Sequence, residues 1–536
     1  MTRRIDWFIP ILLFVIFTAI TLPGIGWGVP SYWHPDELAR NVDKMVQGTY
    51  QVDGTYFNHP FLPKHVYYLI GKIIYGTGHS RSIYILAVRL SNVLLAAGMI
   101  ALVYGISRRA GAGIAASAWA GAFALASSEF ALNARIAHND IYLGFFTTLA
   151  VYCLVQYRTR GAKAWLYGSF LTVGLAASSK YNGVSLGLAP LVVILLDHVS
   201  AKNKGLFDPL KTILIGGLLI LLGFMLGTPE AISQLPFFAQ SIFTSMFHHA
   251  EFNRQPDTLI GLIGQWRVLY TALGASAALL FLTAFMYDLA GILFKDRRSF
   301  TGSQSNRKAV EAVLISAIAL DIPMLIVFNY PARFFLPMIP LLAVLAGIFF
   351  EQLLRRFMPR GWFVPAVVHA VAAGVFVLSL SRAASITLLY LNDARIEASE
   401  FIARLPPDTS IEYTFYPPTI PEKHFSHRQT YPLFFSKSMV GGEPDPDWSG
   451  QINLGELGLE KRATDYLIVD SFTYERFADP LLCQTIPSEC VFFNRLLAGE
   501  AAYRLLAKFE YRLPEFLPQL SPFFLNPVIQ VYQRGS

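Results

Sequence analysis

The chain has 536 residues, 54% of them hydrophobic, 14% aromatic and 15% charged. Soluble domains carry about a quarter charged residues, so this composition, with a mean hydropathy of +0.44, excludes a water-soluble globule and describes an α-helical polytopic membrane protein. The formal charge of +7 resides in basic loops of the kind that orient membrane chains, and no nucleic-acid partner is expected.

Apolar runs predict about eleven spans, at residues 7–27, 83–106, 111–128, 140–157, 165–180, 184–197, 211–228, 266–292, 309–328, 334–353 and 362–388. The first follows Arg3 and Arg4, exceeds a signal-peptide core and lacks a small-residue cleavage site, so it reads as a retained span. Residues 28–82 form a long loop with two amphipathic stretches, Glu37 to Gln47 and Phe61 to Ile74, each preceded by proline (Pro35; Pro60 and Pro63) and expected to lie on the membrane surface. The fifth and sixth runs are short, and the tight turn Lys180-Tyr181-Asn182-Gly183 between them suits re-entrant or tilted segments. Residues 229–265 read as a further surface helix and a mobile cover.

Basic pairs punctuate alternate connections: Arg3-Arg4, Arg108-Arg109, Arg158/Arg160/Lys163, Lys202/Lys204, Lys295/Arg297/Arg298 with Arg307/Lys308, and Arg355/Arg356/Arg360. The positive-inside rule assigns that side to the cytoplasm. Beyond residue 391 no run is long enough to span. Proline pairs appear at 406–407 and 417–418, residues 392–404 read as a helix opened by Asn392 or Asp393, and 464–471 and 527–533 read as strands. The expected organisation is a membrane domain at 1–390 and a small extracytoplasmic α/β domain at 391–536. Cys153 reads as inert packing, whereas Cys483 and Cys490 are close enough in sequence for a local disulfide outside the cytoplasm.

The opposite membrane face should be poor in cations, yet it holds Lys64, Arg135, Lys180 and Arg333 together with Asp36, Glu37 and Asp140. A carboxylate at the bilayer edge suits proton abstraction from an attacking hydroxyl; the plain alternative is a helix N-terminal charge, which Glu37 fits better than Asp36. Asp140 is either a helix cap or a second acid that binds sugar, metal or acceptor. Any one of the cations is as readily a snorkelling interfacial residue as a phosphate contact. Four of them with two acids suit an anionic lipid headgroup better. Arg89 and Arg382 read as structural ion partners. Tyr181 and Tyr330, with Asn58 and His59, either line a sugar or stabilise loops. His138 sits in a polar cluster with Arg135, but no His/Cys/Asp set has clear metal spacing.

The motifs WHPDE, NHPFLPK, ARIAHND, SSKYNG and YPARFFLPMIP occur in that order. Their order and shared face resemble the membrane-embedded GT-C glycosyltransferases, in particular bacterial relatives of the dolichyl-phosphate-mannose protein mannosyltransferases and the lipid A aminoarabinose transferases. The resemblance covers residues 1–390. It implies an inverting transfer of a sugar from a polyprenyl-phosphate donor to an acceptor hydroxyl at the outer face of a bacterial inner membrane. It implies Asp36 as catalytic base and Asp140 as second active-site acid. Lys64, Lys180 and Arg333 would hold the lipid phosphate, and Glu37, His59, Arg135, His138 and Tyr181 would be further substrate contacts. Phe61 stands where the family often has a second proline, which leaves both His59 and Lys64 as counterparts of its functional residue. No cofactor is required on this reading, a divalent metal remains open, and the acceptor is a protein, lipid or glycan. A transporter or flippase for an anionic lipid or solute is the competing reading, against which stands the lack of internal repeats. A non-catalytic scaffold would leave Asp36 without a role.

Overall fold

The computed structural model describes residues 2–52, 56–200, 207–252, 260–294, 304–326, 332–357, 362–421, 431–432, 456, 459, 463–485 and 487–535. They form two compact units, one of Met1–Ile25 with Glu37–Thr387, the other of Gly26–Asp36 with Leu388–Ser536.

The first unit is helical. Five helical segments among the described residues, Arg81–Arg109, Tyr181–Ser200, Phe207–Gly227, Ala275–Leu293 and Phe363–Ile402, are long and apolar enough to cross a bilayer. The chain is an integral membrane protein. Helix Phe207–Gly227 shows why: Leu210, Leu214, Leu218, Leu221, Leu222 and Leu226 are all exposed, a surface that water would penalise and lipid does not. Its other side packs on helix Lys163–Ser179 through glycine. A Cβ on Gly174 would lie 2.2 Å from the Ile220 carbonyl oxygen, and one on Gly223 2.2 Å from that of Leu171, so the two backbones touch as small residues allow in membrane helix pairs. Helix Asp140–Arg160 ends on Arg158 and Arg160, with Gly161 left-handed behind it. Helix Leu62–Gly76 opens with proline in its first turn.

The run 266–292, read as one span, is divided into helices Ile260–Leu273 and Ala275–Leu293. Gly274 adopts φ +79°, and a side chain there would lie 2.8 Å from Arg382 Cδ. Arg382 donates to the Thr271 carbonyl across the break, at 2.7 Å. The residue expected to be an ion partner therefore serves a broken helix end. Part of the loop after residue 229 forms helix Leu235–Phe252; residues 253–259 lie outside the described residues.

The second unit contains a five-stranded sheet: β1 (Ile411–Tyr413), β2 (Tyr431–Pro432), β3 (Tyr466–Asp470), β4 (Tyr503–Phe509) and β5 (Ile529–Arg534), in the order β2-β1-β3-β5-β4. β1 is parallel to β2 and β3, whereas β5 is antiparallel to β3 and β4. β3 is buried along its whole length and alternates between two cores. Tyr466 and Ile468 meet Ala398 and Ile402, and Leu467 and Val469 meet Phe477 and Phe493. Asp393, not Asn392, caps helix Ala394–Ile402, accepting the Arg395 amide. Its other oxygen accepts Trp27 Nε1 at 2.9 Å, and the Arg395 guanidinium lies 4.9 Å and 4.7 Å from the Trp27 and Trp33 rings. These bonds bind residues 26–36 into this unit although they were expected to belong with the membrane loop. Cys483 and Cys490 are joined by a disulfide.

Candidate active site

Asp140 opens its helix with its carboxylate almost wholly buried. A buried carboxylate needs partners, and three side chains supply them. Lys180 Nζ donates to Oδ1 at 2.7 Å, His138 Nδ1 shares a hydrogen bond with Oδ2 at 2.8 Å, and Arg333 Nε stands 3.8 Å from Oδ2. Local chain geometry presents each group. Lys180 is the extended residue at which helix Lys163–Ser179 stops. Arg333 sits in the short 3-10 turn Ala332–Phe335. His138 lies two residues before the Asp140 helix. Two fixed cations against one carboxylate leave the cluster net positive, and Lys180 also lies 3.9 Å from the Phe334 ring centroid.

His59 joins this group: its ring packs edge-on to His138 with centroids 5.6 Å apart, and Asn139 Nδ2 lies 3.4 Å from His59 Nδ1. Burial, reinforced by the positive charge of Lys64 and Lys180, holds the His59 imidazole well below the ordinary histidine range, so the ring is neutral at pH 7. Lys64 is buried, donates to the Tyr56 carbonyl at 2.7 Å and lies 4.1 Å from the Phe61 ring centroid. Tyr181 donates to the Phe57 carbonyl at 2.8 Å. The NHPFLPK loop is thus folded toward both Lys180 and Tyr181. It is also tied from the far side. Thr228 Oγ1 accepts the Phe61 amide at 3.0 Å, and His65 pairs with Glu230 at 3.0 Å. Burial raises the Glu230 carboxyl, but the His65 hydrogen bond and the Lys64 charge outweigh it and hold the group below its usual range.

Two expected site residues have structural duties. Glu37 is fully buried and bidentate with Arg89, at 2.8 Å and 3.0 Å, and also accepts the Ala137 amide at 3.0 Å. It fixes the loop that carries His138 and Asp140 rather than offering oxygen to a substrate. Arg135 was expected among the substrate contacts. Its guanidinium donates to the carbonyls of Ile20, Pro23 and Ala131 and to the Thr387 hydroxyl. A cation there caps the C-terminal end of helix Thr2–Thr21. Asp36 belongs to the second unit. It is half-buried, and its amide donates to His34 Nδ1 at 3.1 Å. Tyr330 lies outside the described residues.

The sequence reading passed over Asn139, Asn182, Phe334 and Glu230. Among the described residues, Asn139 Oδ1, Asn182 Oδ1 and His138 Nε2 are buried without a hydrogen-bond partner, an unmet capacity expected of a ligand site. The two asparagines stand beside residues already singled out, in HND and KYNG. Among the described residues no three His, Cys, Asp or Glu side chains gather in a metal-binding arrangement.

The fold matches the crystal structure of ArnT from Cupriavidus metallidurans bound to undecaprenyl phosphate, with a TM-score of 0.53 and 14% identity over 97% of each chain. The apo structure of the same protein matches at 0.52 and 16% identity, again over 97% of each chain. The chain shares the fold of these structures. Residues 47–242 also match the family described as dolichyl-phosphate-mannose-protein mannosyltransferase. That segment contains His59, Lys64, His138, Asp140 and Lys180. No curated protein matches the chain by sequence.

Proposed function

We propose that this GT-C protein is an inverting glycosyltransferase that moves a sugar from a polyprenyl-phosphate donor to an acceptor hydroxyl. The observation that carries the reading is the buried, net positive cluster of Lys180, Arg333, His138 and Asp140. A phosphate monoester matches its charge, and a leaving lipid phosphate gains negative charge as the glycosidic bond breaks. Fixed cations in a partly desolvated site stabilise that change without reorganising. Asp140 orients Lys180 and Arg333 while limiting their repulsion. His59, neutral, and His138, with an open Nε2, offer hydrogen bonds to the sugar. Lys64 adds positive charge to the same loop. Asp36 acts as general base toward the acceptor hydroxyl. Because cations already neutralise the phosphate, the proposal needs no divalent metal, and transfer should persist in excess chelator; loss that Mg²⁺ or Mn²⁺ restores would reverse this part.

About eleven helices span the membrane, the basic connections face the cytoplasm, and the second unit, with its disulfide, lies outside it. The membrane is a bacterial inner membrane, and the acceptor is a protein, a lipid or a glycan. The domain boundary falls near residue 390.

Arg333→Ala should weaken binding of undecaprenyl phosphate to the full-length protein in nanodiscs by about tenfold, since one charge-assisted contact is worth about 1.4 kcal/mol or more. Arg333→Lys should recover part of the loss. Equal affinity in parent and Arg333→Ala would remove Arg333 from the phosphate site. A transporter would have to carry the same anionic lipid without cleaving it, and no specific contact favours that reading.

A further inference from the structure

Asn139 stands one residue before Asp140, and its neighbours fix which way its amide points. Nδ2 donates to the carbonyl of Ser179, the residue before Lys180, at 3.1 Å. The reverse orientation would set two oxygens, both acceptors, against each other. The same nitrogen has a second hydrogen, and His59 Nδ1 lies 3.4 Å from it. The side chain, wholly buried, thus joins the NHPFLPK loop to the end of helix Lys163–Ser179. Its Oδ1 is buried and, among the described residues, has no hydrogen-bond partner. An amide kept only as a brace would have that oxygen satisfied as well.

The contact decides where the His59 hydrogen sits. A neutral imidazole carries one hydrogen. Nδ1, faced by an N–H group, offers its lone pair, so the hydrogen is on Nε2. The neighbouring ring is also held at Nδ1. His138 Nδ1 lies 2.8 Å from Asp140 Oδ2, and because a carboxylate only accepts, this nitrogen carries a hydrogen. The two rings pack edge-on with centroids 5.6 Å apart. In each of them the polypeptide engages Nδ1. Nε2 is left open: His138 Nε2 is buried without a partner, and among the described residues His59 makes no hydrogen bond through Nε2.

An N–H at His59 Nε2 and the open Asn139 carbonyl give the site one donor and one acceptor. A sugar hydroxyl both accepts and donates, whereas an ionised phosphate oxygen only accepts. We infer that Asn139 sets the hydrogen-bond polarity of the sugar subsite: it fixes the His59 hydrogen on Nε2, so that His59 donates to a hydroxyl oxygen of the donor's sugar, and its own Oδ1 accepts a hydroxyl hydrogen. This rests on the transferase reading and adds a positioning residue for His59 that also reads the sugar.

The test is nitrogen-detected solid-state NMR on the full-length protein in nanodiscs with isotope-labelled histidine, using His59→Gln to identify the His59 signals. The parent should show His59 with hydrogen on Nε2 and a bare Nδ1. Asn139→Asp, whose carboxylate only accepts, should place hydrogen on Nδ1; a merely structural Asn139 would leave the ring unchanged. Hydrogen on Nδ1 in the parent, or the same His59 signals in parent and Asn139→Asp, overturns the assignment. The parent spectrum decides alone if the variant does not fold. In transfer from a panel of radiolabelled polyprenyl-phosphate sugars, Asn139→Ala should lower the rate about tenfold, the worth of one or two uncharged hydrogen bonds. Its affinity for undecaprenyl phosphate, which has no sugar, should stay within about twofold of the parent, since Lys180 keeps its 2.7 Å bond to Asp140. Equal losses of transfer and lipid affinity would make Asn139 a brace for the Lys180 turn and overturn the assignment too. No transfer from any donor in the parent, with the expected His59 signals, would count against the transferase reading instead.

Discussion

Asp36→Asn is expected to lower sugar transfer by about a hundredfold to ten thousandfold, the range that general-base catalysis supplies. The amide has the shape of the carboxylate but cannot take the proton of an acceptor hydroxyl. The amide group of residue 36 still donates to His34 Nδ1, so the local chain path should survive. Donor binding depends in this account on Lys180, Arg333 and Lys64, and it should stay within about twofold of the parent, a difference of about 0.4 kcal/mol. Single-turnover assays and lipid binding on the same preparation separate the two. Retained transfer, or parallel loss of both properties, would remove Asp36 from the role of base.

Arg89→Met is expected to have the largest effect on stability. Arg89 and Glu37 are both wholly buried and paired at 2.8 Å and 3.0 Å. Removing one partner from such a pair costs about 3–5 kcal/mol, because the other charge is left in a dry site. The double substitution Glu37→Met/Arg89→Met removes both charges and should recover much of the loss. It should not recover all of it, since Arg89 also donates to the Ile25 carbonyl and Glu37 accepts the Ala137 amide. Each backbone group left unpaired costs about 1–3 kcal/mol. Unfolding in detergent for parent, both single variants and the double variant gives the coupling directly. Additive losses would mean that the pair is not a unit. Transfer should fall in the single variants through misplacement of His138 and Asp140, whose loop is held by Glu37.

How much of this was legible in the sequence follows from which forces act locally. Helix positions follow apolar run length, so the runs at 83–106 and 140–157 fall inside helices Arg81–Arg109 and Asp140–Arg160. The break at Gly274 was not legible, because glycine within an apolar run is common in membrane helices and the deciding contact comes from Arg382, over a hundred residues away. The strands at 466–470 and 529–534 were legible from β-branched alternation, whereas the inclusion of residues 26–36 in their unit depends on long-range contacts such as the bond from Trp27 to Asp393 and the packing of Arg395 on Trp27 and Trp33. Charge asymmetry drew attention to Asp140, Lys180 and Arg333, which the fold brings together. The same asymmetry cannot tell a cation facing a ligand from one capping a helix, and Arg135 is of the second kind. Glu37 fits a helix N-terminal charge better than Asp36 in the sequence, but its partner, Arg89, lies fifty-two positions along the chain.

In the proposed reaction a lipid phosphate leaves while Asp36 activates an acceptor hydroxyl. The most direct measurement follows radiolabelled sugar from a panel of polyprenyl-phosphate sugars into native membrane extract, using purified parent protein and Asp36→Asn. One donor should deliver label to an acceptor in the parent alone, with stoichiometric release of polyprenyl phosphate. Intact donor recovered across the panel, with lipid moved between leaflets but never cleaved, would contradict it and favour a transporter.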